Sequence, residues 1–139
     1  MNILYLCTGN SCRSQMAEAW THSLRPEIHA VSAGTVARGM DPRAVKVMEE
    51  EDVYLIGQYS KTLDELPGDI DYDYVVTLCD GAAANCPIFP AGAHRVHRGF
   101  DDPPTLTRGM TDEAAILAVY RRVRDEIREM VHRIPHSLG

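Results

Sequence analysis

A short apolar run followed at once by helical spacing opens the chain. Residues 3–6 are continuously apolar, as expected for a strand that is buried on both faces of a sheet. Met16, Trp20 and Leu24 then recur every four residues, which predicts a helix, and Pro26 stops it. A strand that leads directly into a helix is typical of α/β proteins, in which helices carry the chain from one parallel strand to the next.

The rest of the chain continues this alternation. Three further segments are predicted to be strands, namely residues 28–33, 75–78 and 94–97. The second of them is apolar and β-branched, which indicates a central strand. We therefore expect an α/β fold with a central parallel β-sheet of about four strands and helices on both faces.

Two more helices are predicted from their end signals. Asp41 and Pro42 have the pattern of an N-cap followed by proline at the first helical position, and this helix is expected to reach about Glu51. Thr111 is predicted to cap the C-terminal helix, which Pro135 ends. One apolar stripe runs along that helix: Ile116, Tyr120, Val123, Ile127, Met130 and Ile134.

Composition restricts the class of protein. A chain of 139 residues with 45% hydrophobic and 24% charged residues predicts one globular domain over residues 1–139. The net charge of -6 argues against binding to nucleic acid or to an anionic membrane. No apolar run approaches the roughly 20 residues of a membrane span, and the N-terminus lacks a basic leader. We expect a cytoplasmic monomer.

The four cysteines are Cys7, Cys12, Cys79 and Cys86. In a reducing compartment, catalysis, metal binding or transient redox pairing explains cysteines better than permanent disulfides do. Their spacing is wider than that of zinc ligands, so we predict no metal and no cofactor. Cys7 and Cys79 directly follow the two clearest predicted strands, residues 3–6 and 75–78. If those strands are neighbours, both thiols lie at the same edge of the sheet, where α/β proteins bind ligands.

The loop that follows the first strand has the composition of an oxyanion site. Its backbone amides and the following helix dipole can surround a tetrahedral oxyanion, and a guanidinium adds two further donors. The predicted oxyanion-binding residues are Thr8, Gly9, Asn10, Ser11, Cys12 and Arg13. The same groups are expected to lower the pKa of Cys7, the predicted nucleophile, to about 3.5–7.5. Ser14 is expected to donate a hydrogen bond to its thiolate.

Other interpretations of these residues remain at this stage. Cys7 alone is compatible with a buried thiol that only packs at the end of a strand. The Cys12 side chain is interpreted as a small buried packing group. A nucleotide-binding loop is excluded, because the segment lacks the Gly-Lys-Ser/Thr sequence.

The loop resembles the active-site loop of the low-molecular-weight tyrosine phosphatase fold. The longer segment 7–18 resembles the thioredoxin-coupled arsenate reductases that are built on this fold, and Gln15 stands where the phosphatases usually carry proline. Further matches follow in order along nearly the whole chain, at residues 31–34, 77–79, 86–87, 99–103 and 121–127.

The resemblance implies roles for three more residues. The spacing of Cys79 and Cys86 by itself favours two unrelated loop cysteines, whereas in the family these positions are redox-active. Asp102 precedes Pro103 in a predicted surface loop, where a solvated acidic turn is the ordinary interpretation. In the family this aspartate is the general acid.

The implied activity is the reduction of arsenate, with a thioredoxin-like dithiol as the reductant. Two alternatives stay open. A tyrosine phosphatase would use the same nucleophile, arginine and acid, and a non-catalytic redox or anion sensor would use the cysteines alone.

Some members of the family bind potassium beside this loop, through positions that match Asn10, Glu18 and Ser32. Lys61 falls where those members carry an acidic ligand. We hypothesise that its ammonium group replaces the cation near Glu18. The alternative is a solvated surface lysine.

Overall fold

Four parallel strands form the central sheet of the computed structural model, which describes residues 1–79 and 92–139. The strands are β1 (Asn2–Cys7), β2 (His29–Gly34), β3 (Tyr74–Thr77) and β4 (His94–His97). Their order in the sheet is β2-β1-β3-β4, and every neighbouring pair is parallel. The predicted fold class is therefore confirmed, and every strand bound differs from the sequence prediction by one residue or less.

The helices are α1 (Arg13–Leu24), α2 (Pro42–Glu49), α3 (Pro103–Leu106) and α4 (Glu113–His132), with short 3-10 turns at Leu63–Glu65 and His136–Leu138. Asp41 caps α2 as predicted, because its carboxylate accepts a hydrogen bond from the Arg43 amide at 3.0 Å. The prediction of Thr111 as the cap of α4 is wrong. Asp112 caps that helix and accepts from the Ala114 amide at 3.1 Å.

The segment 101–104 is only partly the surface loop that was predicted. Pro103 begins helix α3, and Asp102 stands at its N-cap position with extended backbone angles. Proline suits the first helical position, because its fixed φ is helical and no intrahelical partner is lost there. The predicted acid is therefore held at the start of a short helix.

The alternation of side chains along β1 divides the core in two. Ile3 and Tyr5 belong to a large cluster with α1, α2 and α4, and Leu4 and Leu6 belong to a smaller one on the opposite face. All four side chains are at most 1% exposed. Burying a side chain of this size contributes about 1.5–3 kcal/mol, so β1 is the best-anchored strand of the described sheet.

Helices α1 and α4 are joined through the one tryptophan of the chain. The Trp20 indole N–H donates to the Arg124 carbonyl at 3.1 Å. The Arg128 guanidinium lies over the same ring, 5.6 Å from its centroid. This contact fixes α4 against the helix that begins at the cysteine loop. None of the helices in the described parts of the chain is long and apolar enough to cross a membrane.

The register of the sheet brings the ends of three strands together. Cys7 is paired with Gly34, and Leu6 is paired with Thr77. The ladder extends one residue further, because the Leu78 amide donates to the Leu6 carbonyl at 2.8 Å. Residue 79 therefore lies beside the loop that begins after β1.

Candidate active site

The loop between β1 and α1 directs three of its carbonyl groups outward. Amides of the segment that follows β2 donate to them: Val36 to Thr8, Arg38 to Gly9 and Asp41 to Ser11, each at 3.0 Å. Because these carbonyls are engaged on the outside, the loop can turn its amides inward, as an oxyanion nest requires. This geometry supports the predicted nest.

Gly34 makes the close approach of the loop to β2 possible. A Cβ atom built on Gly34 would lie 2.7 Å from the Thr8 carbonyl oxygen and 2.9 Å from the Asn10 amide nitrogen, and it would also collide with the Val36 carbonyl oxygen. All three neighbours are backbone atoms, which cannot rotate away. A larger residue is therefore excluded here without movement of the loop.

Asn10 is the buried centre of the loop. Its φ of 48° is left-handed, a conformation that asparagine tolerates better than most residues. Its Nδ2 atom donates to Ser14 Oγ at 2.8 Å, and its Oδ1 atom accepts from the Lys61 amide at 2.9 Å. Ser14 is fully buried, and no hydrogen bond joins it to Cys7 in the described residues. The expected bond from Ser14 to the thiolate is thus not formed in this structure.

Cys7 and Cys79 lie side by side, as their positions after neighbouring strands predicted. The Cys79 sulfur is 3.0 Å from the Thr8 hydroxyl oxygen. The neighbouring Cys79 thiol and then burial raise the pKa of Cys7 well above its usual value, while the Arg13 charge opposes the shift. The prediction of a lowered pKa is wrong, because it counted the charge of Arg13, the loop amides and the helix dipole but not burial or the effect of the Cys79 thiol.

Cys12 is buried, as predicted for a packing group. Burial raises the pKa of its thiol, and the negative charges of Asp41 and Asp102 add to the effect. Asp41 also accepts a hydrogen bond from the Tyr120 hydroxyl at 2.7 Å. Asp41 thus connects helix α4 to the loop, because its backbone amide donates to the Ser11 carbonyl.

Arg13 and Asp102 line one cleft and form an ion pair. Arg13 Nη1 donates to the Phe100 carbonyl at 2.9 Å, and Nη2 is 3.3 Å from Asp102 Oδ1. The Arg13 Nε atom is buried and has no partner among the described residues. Asp102 Oδ2 accepts from the Thr105 hydroxyl at 2.6 Å. The cleft has a volume of about 400 Å³, and Cys79 also lines it.

The adjacent residues Asp101 and Asp102 form ion pairs with different arginines. Both residues line the cleft, but Asp101 forms an exposed ion pair with Arg122 at 2.9 Å, whereas Asp102 pairs with Arg13. Cys86, predicted as the third redox cysteine, lies outside the described residues.

Residues 2–138 match the family described as low molecular weight phosphotyrosine protein phosphatase. The chain belongs to this family. The resemblance deduced from the loop and the later motifs is thereby confirmed.

Several similar proteins are named arsenate reductases. The arsenate reductase of Halalkalibacterium halodurans is 51% identical over 127 residues, covering 90% of this chain and 88% of that one. The arsenate reductase of Bacillus subtilis is 47% identical over 128 residues, with the same coverage of 90% and 88%. A solved arsenate reductase in a phosphate-binding state covers 99% of this chain and 98% of its own, with a TM-score of 0.74 and 28% identity.

Lys61 of this phosphatase-family chain is buried, only 7% exposed, which excludes the solvated surface lysine. Its ammonium donates to the Tyr59 carbonyl at 3.1 Å and lies 4.5 Å from the centre of the Tyr59 ring. Glu18 accepts from the Ser32 hydroxyl at 2.7 Å. No ion pair joins Lys61 to Glu18 in the described residues, so the ammonium is held by Tyr59 rather than by that carboxylate.

Sequence reasoning missed the contacts of two glutamines. Gln15 donates to the backbone carbonyl and the side-chain oxygen of Asn10 in the loop, and Gln58 donates to Gln15. The departure of Gln15 from the proline of the phosphatases was the only signal of its importance. Within residues 1–79 and 92–139, no group of three or more His, Cys, Asp or Glu side chains is arranged to hold a metal ion.

Proposed function

We propose that this protein is an arsenate reductase that converts arsenate to arsenite through a covalent adduct on Cys7 and a cascade of disulfides. The observation that carries the proposal is the position of Cys79, which follows the strand next to that of Cys7 and contacts Thr8 of the oxyanion loop. A phosphatase needs one thiol at this place, whereas a reductase needs a second thiol within reach of the first. The names of the similar proteins agree with this activity.

In the first step, Cys7 attacks arsenic, an S–As bond forms, and one As–O bond breaks. The loop amides of residues 8–13 and the unpartnered Arg13 Nε donate to the remaining oxygens. Asp102 protonates the departing oxygen, which leaves as water. Protons balance, because the one lost by the Cys7 thiol equals the one that Asp102 delivers.

In the second step, Cys79 attacks the sulfur of Cys7. A disulfide forms, the S–As electron pair goes to arsenic, and As(V) becomes As(III). Arsenite takes up protons from Cys79 and from solvent as it leaves. Thr8 contacts the Cys79 sulfur and orients it for this attack.

The last steps move the disulfide to the surface. Cys86 attacks Cys79, which releases the Cys7 thiol and leaves a Cys79–Cys86 disulfide. A thioredoxin-like dithiol then reduces that bond by thiol–disulfide exchange, since exchange needs access to a sulfur. We further propose that the chain works as a single-domain monomer of residues 1–139 in the cytoplasm, without a metal or a cofactor.

The test compares the release of arsenite and of phosphate by the reduced protein, each from its own substrate. Arsenite release from arsenate, sustained by thioredoxin and its reductase, is expected to exceed phosphate release from an aryl phosphate. Arsenate, but not phosphate, is expected to remove free thiols in stoichiometric amounts. Aryl phosphate turnover without arsenite release would instead identify a phosphatase, and no release from either substrate would identify a sensor.

A weaker phosphatase activity is a second candidate function of the same site. Arg13 and Asp102 line one cleft together with Cys79, the neighbour of Cys7. A phosphate ester presents the same tetrahedral oxygens as arsenate. Its test is aryl phosphate hydrolysis by the Cys79→Ser variant, which is expected to retain it.

A further inference from the structure

Two glutamine side chains lie beside Asn10 of the cysteine loop: Gln15 contacts Asn10, and Gln58 contacts Gln15. Gln15 is fully buried. Its Nε2 atom lies 3.1 Å from the Asn10 carbonyl oxygen, 2.9 Å from Asn10 Oδ1 and 3.1 Å from the Tyr59 carbonyl oxygen. Gln58 Nε2 donates to Gln15 Oε1 at 2.8 Å and to the Gln15 carbonyl at 3.2 Å. Gln15 therefore contacts both the backbone and the side chain of the one left-handed residue of the loop.

Backbone groups determine which atom of each amide donates. The carbonyls of Asn10 and Tyr59 only accept, so the Gln15 atom that faces both of them is the nitrogen. The Lys61 amide only donates, so the Asn10 atom that faces it is the oxygen. These assignments do not depend on how the side-chain amides were oriented. The Asn10 nitrogen is consequently directed at Ser14.

The direction of this bond has a consequence for Ser14. Asn10 Nδ2 is a donor only, so Ser14 Oγ must accept from it. The single hydroxyl proton of Ser14 is thus not used by Asn10. Ser14 is fully buried in the first turn of α1, directly after Arg13, so this proton remains for a group held within the loop.

We propose that Gln15, supported by Gln58, is a positioning residue for the nucleophile and the oxyanion. It holds Asn10 in one backbone conformation and one amide orientation, and it thereby reserves the Ser14 proton for the Cys7 thiolate or a bound oxygen. If Asn10 turned its oxygen toward Ser14, the serine would donate to that oxygen instead. This inference rests on the proposed role of Cys7 as the nucleophile.

The donor role of Gln15 is separable from its shape. Gln15→Met keeps the length of the side chain and removes its hydrogen bonds. Gln15→Glu is closer in shape to glutamine, but its carboxylate places an acceptor against three acceptor oxygens. A donor role predicts that Glu is the worse replacement, whereas a role in filling space predicts that Met is.

Ser60→Ala is the matched control. The Ser60 hydroxyl donates to the Gly9 carbonyl at 3.1 Å, so this change removes a hydrogen bond between the same two segments without touching Asn10. The measurements are the affinity for inorganic phosphate and the pH dependence of Cys7 alkylation by iodoacetamide, with the modified cysteine identified by peptide mass spectrometry. Neither measurement requires arsenate turnover, so a failure of the proposed reductase activity would not alter their meaning.

We expect Gln15→Met to weaken phosphate binding about tenfold, the size of one hydrogen bond to a charged group, and to move Cys7 alkylation to higher pH. Gln15→Glu is expected to bind phosphate more weakly still. Ser60→Ala is expected to change the phosphate affinity by less than about threefold. If neither Gln15 variant folds, Gln58→Met is expected to give a smaller shift in the same direction. Unchanged binding and alkylation in a destabilised variant, or a larger loss from Met than from Glu, would overturn the proposal.

Discussion

Arg13 and Asp102 face each other across 3.3 Å, from Nη2 to Oδ1. The residue proposed to bind the oxyanion and the residue proposed to protonate the leaving oxygen are thus in direct contact. An oxyanion that binds Arg13 competes with the carboxylate for the same guanidinium. Substrate binding is therefore expected to release Asp102 for proton transfer, while Thr105 continues to hold its other oxygen.

Replacement of Asp102 by asparagine keeps the shape of the side chain and removes its transferable proton. Turnover is expected to fall by about 10²–10⁴, the usual contribution of a general acid. The affinity for phosphate should be preserved. Asp101→Asn is the control, because Asp101 pairs with Arg122 on the surface. Steady-state arsenite release by the two variants decides the assignment, and a larger loss from Asp101→Asn would reverse it.

Thr8→Val removes the hydroxyl that contacts Cys79 and leaves a side chain of similar shape. The attack of Cys79 on the Cys7 adduct is expected to slow about tenfold, as for the loss of a hydrogen bond to a charged sulfur. Rapid-quench measurement of arsenite in a single turnover reports this step. Thr35→Val is the matched control, since Thr35 contacts the Thr8 carbonyl and not the thiols. Equal rates in both variants would contradict the orienting role of Thr8.

The two later cysteines are expected to differ in a single turnover without thioredoxin. Cys86→Ser should release about one equivalent of arsenite per active site and then stop as a Cys7–Cys79 disulfide, because Cys79 already contacts Cys7. Cys79→Ser should give no comparable burst. Equal bursts would show that the order of the thiols is wrong. Multiple turnovers by Cys86→Ser with thioredoxin would show that Cys79 alone meets the reductant.

Gly34→Ala is expected to disturb the loop, because the added methyl group meets only backbone atoms of residues 8, 10 and 36. Overpacking of this kind destabilises a protein by about 1–3 kcal/mol. Phosphate affinity should fall together with the midpoint of thermal unfolding. Gly68→Ala has nothing within 4 Å of the added atom and serves as the control. Normal phosphate binding by Gly34→Ala would mean that the loop shifts without cost.

Activity is expected to be insensitive to potassium. The buried Lys61 ammonium already donates to the Tyr59 carbonyl. The backbone amide of Lys61 donates to Asn10, so this residue lies next to the cysteine loop. A second cation in that neighbourhood would be repelled. Arsenite release in KCl and in NaCl at equal ionic strength should agree, and stimulation by potassium alone would rule the hypothesis out.

The neighbouring thiols illustrate what sequence alone can predict. Cys7 and Cys79 follow apolar runs that form adjacent parallel strands, and the carboxyl ends of such strands share one edge. The proximity of the two residues therefore follows from local pattern and topology. The nest also follows locally, because Gly9 and Asn10 permit the backbone turn that the loop needs.

The contacts that surround the loop and the pKa of Cys7 could not be predicted from local pattern. The contact of Lys61 with the loop depends on how a segment without periodic pattern crosses the end of β2, where Gly34 pairs with Thr62. The pKa of Cys7 depends on how deeply packing buries its thiol and on how that thiol meets the Cys79 sulfur. Topology predicts that the two cysteines are neighbours, but residue spacing encodes neither the burial nor the detailed contact.

Trp20 is an intrinsic fluorescent probe of folding, so no label is needed. Its indole donates to Arg124 and is covered by Arg128, so the ring changes environment when α4 leaves α1. It is the sole tryptophan, and excitation at its absorption edge isolates its emission from that of the six tyrosines. The fluorescence of the unmodified protein therefore reports when the C-terminal helix docks onto the helix that carries Arg13.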